Sequence, residues 1–293
     1  MVENSNQMVS SRISSFVKNL LGDSSGIMAF AGLTILLIFI LMAIFAPLIA
    51  PYSPTEPSGT PLMAPNIHHI MGTDNMGYDV FSRFIYGSRM ALIIAFIATL
   101  IASVVGIPLG LVAGYSGGVL DRILTMIMDS VYTFPGLILA IAIAAVLGPG
   151  IINISLSIAV VYIPTYYRVI RSQVVSVKSE LYVEGAYSIG AKTSTIIFKY
   201  ILPNVLPSII VVLSMNIADA IMTEAGLSFL GLGITPPTPD WGYDLANGQQ
   251  FLISNNWWMS FFPGIAIILI VLGFSMFAEG LNEYFNPNIG EKR

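Results

Sequence analysis

Residues 28–49, from Met28 to Ile49, read MAFAGLTILLIFILMAIFAPLI and contain no charged side chain. As a helix rising 1.5 Å per residue this run is about 33 Å long, enough to cross roughly 30 Å of hydrocarbon. It is too long for a signal peptide and meets Pro47 and Pro51 without a small-residue cleavage site, so it reads as a retained span. Five more runs of the same kind follow: Met90–Ala113, Ile123–Leu147, Ile151–Ile170, Val205–Leu230 and Trp258–Ala278. The third begins amphipathically around Asp129 and is continuously apolar only after Pro135, so an interfacial turn is expected before the true span. The fold expected is an all-α polytopic membrane protein with six transmembrane helices.

Composition leads to the same class. Of the residues, 55% are hydrophobic and 10% charged, and the mean hydropathy is +0.81. Soluble domains carry about 25% charged residues, so this chain has too little polar surface to face water. With no cysteine, thiolate metal sites and cysteine nucleophiles are excluded. The net charge of −4, without a basic run, argues against nucleic acid as a partner.

Lysine and arginine set the direction. With a cytoplasmic N-terminus, the inside segments hold ten of the 12 basic residues: Arg12, Lys18, Arg122, Arg168, Arg171, Lys178, Lys192, Lys199, Lys292 and Arg293. The outside segments hold Arg83 and Arg89. The positive-inside rule then puts both termini in the cytoplasm. The organisation expected is a cytoplasmic N-terminal segment 1–27, a first transmembrane helix 28–49, an external loop 50–89, a five-helix core 90–278 and a cytoplasmic tail 279–293. Within the core, 171–204 is a cytoplasmic loop with enough helix formers for two short helices, and 231–257 is external. A structured inside loop of that length suggests a docking site for another protein.

That loop contains Gly185-Ala186-Tyr187-Ser188-Ile189-Gly190-Ala191-Lys192-Thr193. One residue, Ala191, separates its second glycine from the lysine, whereas a phosphate-binding loop needs Gly, Lys and Ser/Thr consecutively after a buried strand. ATP, if used, is expected on another subunit. The same residues contain Glu184-Gly185-Ala186, three residues, Gly190, and Leu202-Pro203 after a further eleven. This resembles the cytoplasmic signature of ABC-importer permeases, with Gly185 in place of an alanine and Tyr200 at the usual isoleucine position.

The resemblance extends from about residue 28 to 287. Gly72-Thr73-Asp74, Gly77, Asp79-Val80, Ser82-Arg83 and Tyr86-Gly87-Ser88-Arg89 are similar to the segment before the second span of dipeptide/oligopeptide/nickel permeases. So are Gly117-Gly118-Val119-Leu120-Asp121-Arg122, Tyr182-Val183-Glu184, Ile201-Leu202-Pro203-Asn204 and Glu224-Ala225-Gly226-Leu227-Ser228-Phe229-Leu230-Gly231-Leu232-Gly233, leading to Pro236-Pro237-Thr238-Pro239-Asp240-Trp241-Gly242. Their order resembles the shorter of the two permeases that pair in these importers. The resemblance implies a type I ABC-importer permease fold in a prokaryotic cell membrane. It also implies a homologous second permease, two cytoplasmic ATPase subunits that bind ATP and Mg, an external solute-binding protein, and a peptide or similar small solute as cargo. Nickel or another metal complex is the alternative cargo within the family. No catalytic residue, cofactor or metal is expected in this chain. Glu184, Gly185, Ala186, Gly190, Leu202 and Pro203 are the residues implied in coupling to the ATPases, with Gly190 suited to a turn at φ > 0.

Four further features have two readings each. Gly106, Gly110 and Gly114 fall four apart on the second span, a spacing that serves close helix packing in lipid or a moving seam, packing being the simpler. Asp219 and Glu224 lie in the fifth span about 140° apart around the helix, so one at most faces straight into a pathway. Glu224, nine residues before Gly233, would lie about 13 Å below the span's end. Either carboxylate is a pathway candidate or a hydrogen-bonded structural group. Asp129 reads as interfacial. His68 and His69 point to opposite faces of an extended chain and read as a bare surface pair rather than metal ligands. An ion-driven secondary transporter would need charges on several spans, and a non-transporting membrane anchor leaves the ordered inside loop unexplained.

Overall fold

In the computed structural model, residues 24–285 are described, with side chains from 26 to 284. The basic residues Arg12, Lys18, Lys292 and Arg293, and most of the expected terminal segments 1–27 and 279–293, lie outside or at the edge of that range. Helix α1 spans Ser24–Ile44, followed after Phe45 by the short α2, Ala46–Ile49. Then come α3 (Val80–Ser116), α4 (Gly118–Tyr132), α5 (Gly136–Leu147), α6 (Ile151–Lys178) and α7 (Leu181–Ser188). Helix α8 runs Thr193–Phe229 and includes a π-helical stretch, Ile196–Ile201. Helices α9 (Trp241–Gln249) and α10 (Trp258–Phe285) complete the described chain. Among the described residues there is no β-strand, only an isolated bridge between Thr73 and Asp79.

Four helices, α1, α3, α8 and α10, are long and apolar enough to cross a membrane, and α4 with α5 makes a fifth if that bent pair is one span. The expected third span is therefore not one straight helix. Its halves meet at 85° around Thr133, Phe134 and Pro135, because proline supplies no N–H and its ring disfavours helical geometry at Phe134. Helix α5 alone, 12 residues long, reaches about 18 Å. The expected fourth span is the front of α6, whose 28 residues make about 42 Å of helix. Its apolar content is diluted by Asn153, four serines, Arg168, Arg171 and Lys178, because it is the central helix. Tyr166, Tyr167, Ile170 and Val174 are fully buried on it and need not be lipid-soluble.

Two further boundaries differ from the hydropathy reading. Helix α3 starts at Val80, ten residues before Met90, because the Asp79 carboxylate caps it by accepting from Ser82 N; apolarity marks only the stretch facing lipid. The first eight residues of the expected inside loop 171–204 are the end of α6, and its last residues belong to α8.

Helix α6 packs along α3 through the three glycines. A Cβ on Gly106 would sit 2.6 Å from Tyr166 Cβ, on Gly110 2.8 Å from Tyr167 O, and on Gly114 2.8 Å from Val174 Cβ. The seam is a packing surface, as the simpler reading held. Association in lipid draws on van der Waals contact rather than on water exclusion, so backbones must approach closely. Helix α1 lies against α10 by the same device, with Gly32 over Gly273 and Gly280 over Ala29. Ile94, Ala98, Ile154, Ile158, Ala218, Ile221 and Ile270 fill the core between α3, α6, α8 and α10.

This seam makes a prediction. Gly110→Val drives two methyl groups into the α6 backbone, and overpacking of this kind costs roughly 1–3 kcal/mol. Less folded protein in membranes and a lower thermal midpoint in detergent are expected. Val104→Ala, at an exposed position on the same helix, is expected to change neither.

Candidate functional site

Four features of the described chain bear on function: a buried polar cap at one end, an exposed short helix at the other, a cavity between them and a groove along α4. The cap is built from segment 50–79, the start of α3, and α9. Asp79 is fully buried; its Oδ2 accepts from the Ser82 N–H and hydroxyl, and its Oδ1 lies 2.8 Å from His69 Nδ1. His69 stacks on Tyr52 with ring centres 4.8 Å apart. The expected surface histidine pair is thus half corrected: His68 is exposed, but His69 is buried as a structural partner of the helix cap. Among the described residues no group of three histidines or carboxylates is placed to hold a metal ion.

Arg83 is the centre of the cap. Its guanidinium pairs with Asp244 of α9 at 2.6 Å and donates to Pro54 O at 3.0 Å and Pro237 O at 2.9 Å. One buried arginine therefore ties segment 50–79, the stretch before α9 and α9 itself to α3. Burial pushes the Asp244 carboxyl up to about 6, against the opposing pull of Arg83, so this pair is held by fit and hydrogen bonding as much as by charge. Burial likewise raises Asp74, which accepts from Met76 N and Tyr78 N. Trp241 is buried beneath the cap; its indole N–H donates to Phe84 O at 3.0 Å, and its ring lies where a side chain on Gly87 would be.

Glu224 sits just under this cap and is buried. The Ser228 hydroxyl stands between two carboxyl groups, 3.0 Å from Glu224 Oε1 and 2.7 Å from Asp240 Oδ2. Asp240 also caps α9, its Oδ1 accepting from Gly242 N at 2.8 Å and Tyr243 N at 3.1 Å. Gly242 is required there by close approach, since a Cβ would fall 2.3 Å from Ala225 O. Glu224 is therefore built into the junction of α8 with α9.

Asp219 lies elsewhere on α8, on the face it shares with Asn216 and Thr223. These three line a cavity of about 370 Å3 with Tyr162 and Thr165 of α6 and with Leu137 of α5. Tyr162 and Thr223 share a hydrogen bond of 2.9 Å. A wider groove of about 1020 Å3 runs along α4, lined by Asp121, Arg122, Asp129 and Arg171. Its carboxylates are engaged: Arg171 Nη2 donates to Asp121 at 2.7 Å, and Arg168 to Asp129 at 2.7 Å while stacking 3.8 Å over Tyr132. Asp129, read as interfacial, thus joins α4 to α6.

At the opposite end, α7 presents Leu181, Tyr182, Tyr187 and the following Ile189 outward, with Leu181 and Ile189 both 83% exposed. Val183 and Ala186 face inward and are buried, Val183 among Ile170, Val174, Ile196 and Ile201. Glu184 and Gly185 are exposed, and Gly190 ends the turn at φ +78°. Leu202 is half-buried and Pro203 exposed at the π-to-α junction of α8. An exposed apolar patch on a short, well-anchored helix marks a contact surface. The sequence reading missed Arg83 with Asp244, Asp240 and Asn216. The spacing of 216, 219 and 223 on one helical face was the available signal for the last of these.

Residues 106–291 match the family described as the binding-protein-dependent transport system inner membrane component, and residues 27–65 match the N-terminal TM domain of oligopeptide transport permease C. The dipeptide transport system permease protein DppC of Alkalihalophilus pseudofirmus is 42% identical over 264 residues, 89% of this chain and 86% of that protein. DppC of Haemophilus influenzae is 39% identical over 89% of this chain and 90% of its own length. The glutathione transport system permease protein GsiD of Escherichia coli is 38% identical over 89% of this chain and 87% of its own. Among solved structures, the MetNI methionine ABC transporter in an inward-facing conformation aligns with a TM-score of 0.54 at 17% identity, covering 70% of this chain and 96% of that one. That likeness concerns the fold.

The cap makes its own prediction. Asp244→Ala leaves Arg83 buried without its partner, a change that costs about 3–5 kcal/mol, and folded protein recovered from membranes is expected to fall sharply. Replacing both, Arg83→Met with Asp244→Leu, is expected to restore much of it. A double variant no better than the single would show that the carbonyl contacts of Arg83, not the pair, hold the cap.

Proposed function

We propose a mechanism from the premise that this chain belongs to the family of binding-protein-dependent transport system inner membrane components: as the permease subunit of an ABC importer, it moves di- or oligopeptides. The cargo rests on one observation above the others, the similarity over 89% of the chain to permeases named for dipeptide transport. The chain works beside a second, homologous permease, with two ATPases inside and a solute-binding protein outside. ATP and Mg are bound by the ATPases, and this chain does no covalent chemistry.

The mechanical reading follows the placement of α7. Its outward Leu181, Tyr187 and Ile189 would enter a groove on the ATPase, with Glu184 and Gly185 at the contact. Its inward Val183 and Ala186 pass any displacement to Ile196, Ile201 and Val205 at the root of α8. Helix α8 carries the cavity residues, so motion of the ATPases is converted into motion of the pathway wall. ATP shifts the inward–outward equilibrium only by binding one state better than the other, and a stiff link between α7 and α8 makes that difference felt across the bilayer. Helix α6 acts as a sixth span, with α7 on the cytoplasmic side and the Arg83 cap outside.

Two outcomes are expected. Gly190→Val, which forces a β-branched side chain into φ > 0, should abolish ATP-dependent dipeptide uptake by the reconstituted importer at normal membrane levels. Glu184→Lys should weaken ATPase co-purification or uncouple hydrolysis from uptake; normal coupled uptake by both variants excludes α7 as the coupling element. For orientation, Glu56→Cys should react with a membrane-impermeant maleimide in intact cells and Ser179→Cys only after permeabilisation, and the reverse pattern inverts the topology.

A further inference from the structure

We propose that the cavity beside Asp219 is a way-station for a protonated amino group on the transported solute, which rests on the reading that this chain lines a peptide pathway. Among the described residues no hydrogen bond or ion pair engages the Asp219 carboxylate; the recorded contact there is to its main-chain oxygen, from the Thr223 hydroxyl. The carboxylates of the cap, of the α4 groove and of the α8–α9 junction all have partners: Asp121 and Asp129 hold arginines, Asp244 holds Arg83, Asp79 holds His69 and the helix cap, Asp74 accepts from Met76 N and Tyr78 N, and Glu224 and Asp240 share Ser228. A carboxylate in an apolar helix without a counter-charge is unfavourable unless it faces water or meets a cation. Asp219 is exposed to the cavity, and that cavity supplies room for both.

A second, independent group points the same way. Asn216, 3% exposed, lines the same cavity, and its amide nitrogen and the neighbouring buried Tyr166 hydroxyl each lack a hydrogen bond of good geometry. A buried amide donor left unpaired is costly, and a solute carbonyl would satisfy it. Asn216 and Asp219 stand one helical turn apart on α8. They therefore present a carbonyl-binding donor beside an ammonium-binding acceptor, the order in which those groups occur at the free amino end of a peptide. The Tyr162–Thr223 hydroxyl pair closes one side, and Leu137, Val161 and Phe134 supply apolar wall. About 370 Å3 falls within the range of small-ligand sites, about 300–1,000 Å3. One carboxylate, one amide and an open approach make a weak site, suited to passage and not to capture.

The test uses the purified importer complex, whose permease described here has no cysteine of its own, with Thr165→Cys as a reporter on the cavity wall. Resting complex without ATP is treated with the cationic 2-aminoethyl methanethiosulfonate or the anionic 2-sulfonatoethyl reagent. A cation preference of at least about tenfold is expected from a local carboxylate. Asp219→Asn should reduce that preference to about twofold or less, and Asp219→Glu should keep it. Millimolar dialanine should slow cationic labelling about threefold or more in the Asp219 protein and not in Asp219→Asn. Equal labelling by the two reagents overturns the site, as does a preference that survives Asp219→Asn, or an absence of dialanine protection. Failure of either reagent to react, while Glu56→Cys reacts, also overturns it, since a side chain of the second permease then fills the cavity. Labelling is read without transport. A complex that has the preference but takes up no dipeptide sinks the importer reading and leaves the cation site standing, whereas one that transports without the preference sinks the site alone.

Discussion

Every N–H and C=O that enters hydrocarbon must find its partner within the protein, and the rest of this structure follows from that requirement. It makes the chain helical wherever it is apolar and removes the hydrophobic effect as a force between helices. What is left to hold α3 against α6 and α1 against α10 is close van der Waals contact. The glycines at 106, 110 and 114, and those at 32, 273 and 280, supply it by letting one backbone lie where a side chain would otherwise be.

Polar side chains are accordingly confined to the places where they have work. At the cap, Arg83, Asp79, His69 and Asp244 are buried together, and segment 50–79 and the stretch before α9 are fastened to the end of α3. Between α4 and α6 the arginine–carboxylate pairs are partly exposed, and such pairs are weak individually. The contrast is physical: a fully desolvated pair holds one geometry, whereas a solvated one allows several of similar energy.

The same contrast divides the two acidic residues of α8. Glu224 is shared with Ser228 and Asp240 and fixes α9 beneath the cap. Asp219, five residues earlier, opens onto the cavity. Helix α8 runs from its junction with α9 back to the inward side of α7, which it meets through Ile196, Ile201 and Val205. Under the coupling proposed above, one end of that helix is held and the other driven, with a polar face between them.

The amino-acid sequence by itself determined the class, the number of long apolar runs, the basic asymmetry, and the importer-permease resemblance carried by Glu184–Gly190 and by the run from Glu224 to Gly242. Those are local properties, set by hydropathy, periodicity and residue order, and local properties survive without knowledge of neighbours. Helix ends were less legible. Val80 begins α3 because of Asp79, and α6 continues to Lys178, eight residues past the apolar run 151–170, with Val174 still buried. Which carboxylate faced a cavity was decided only in three dimensions. Asp219 and Glu224 look alike in the sequence, each an acid in an apolar helix; the difference lies in what packs against each face of α8. Arg83 and Asp244 are 161 positions apart, and His69 looked like half of a surface pair until the fold brought Asp79 beneath it. Pairings of that range are set by how helices cross, and no periodicity along the chain encodes a crossing.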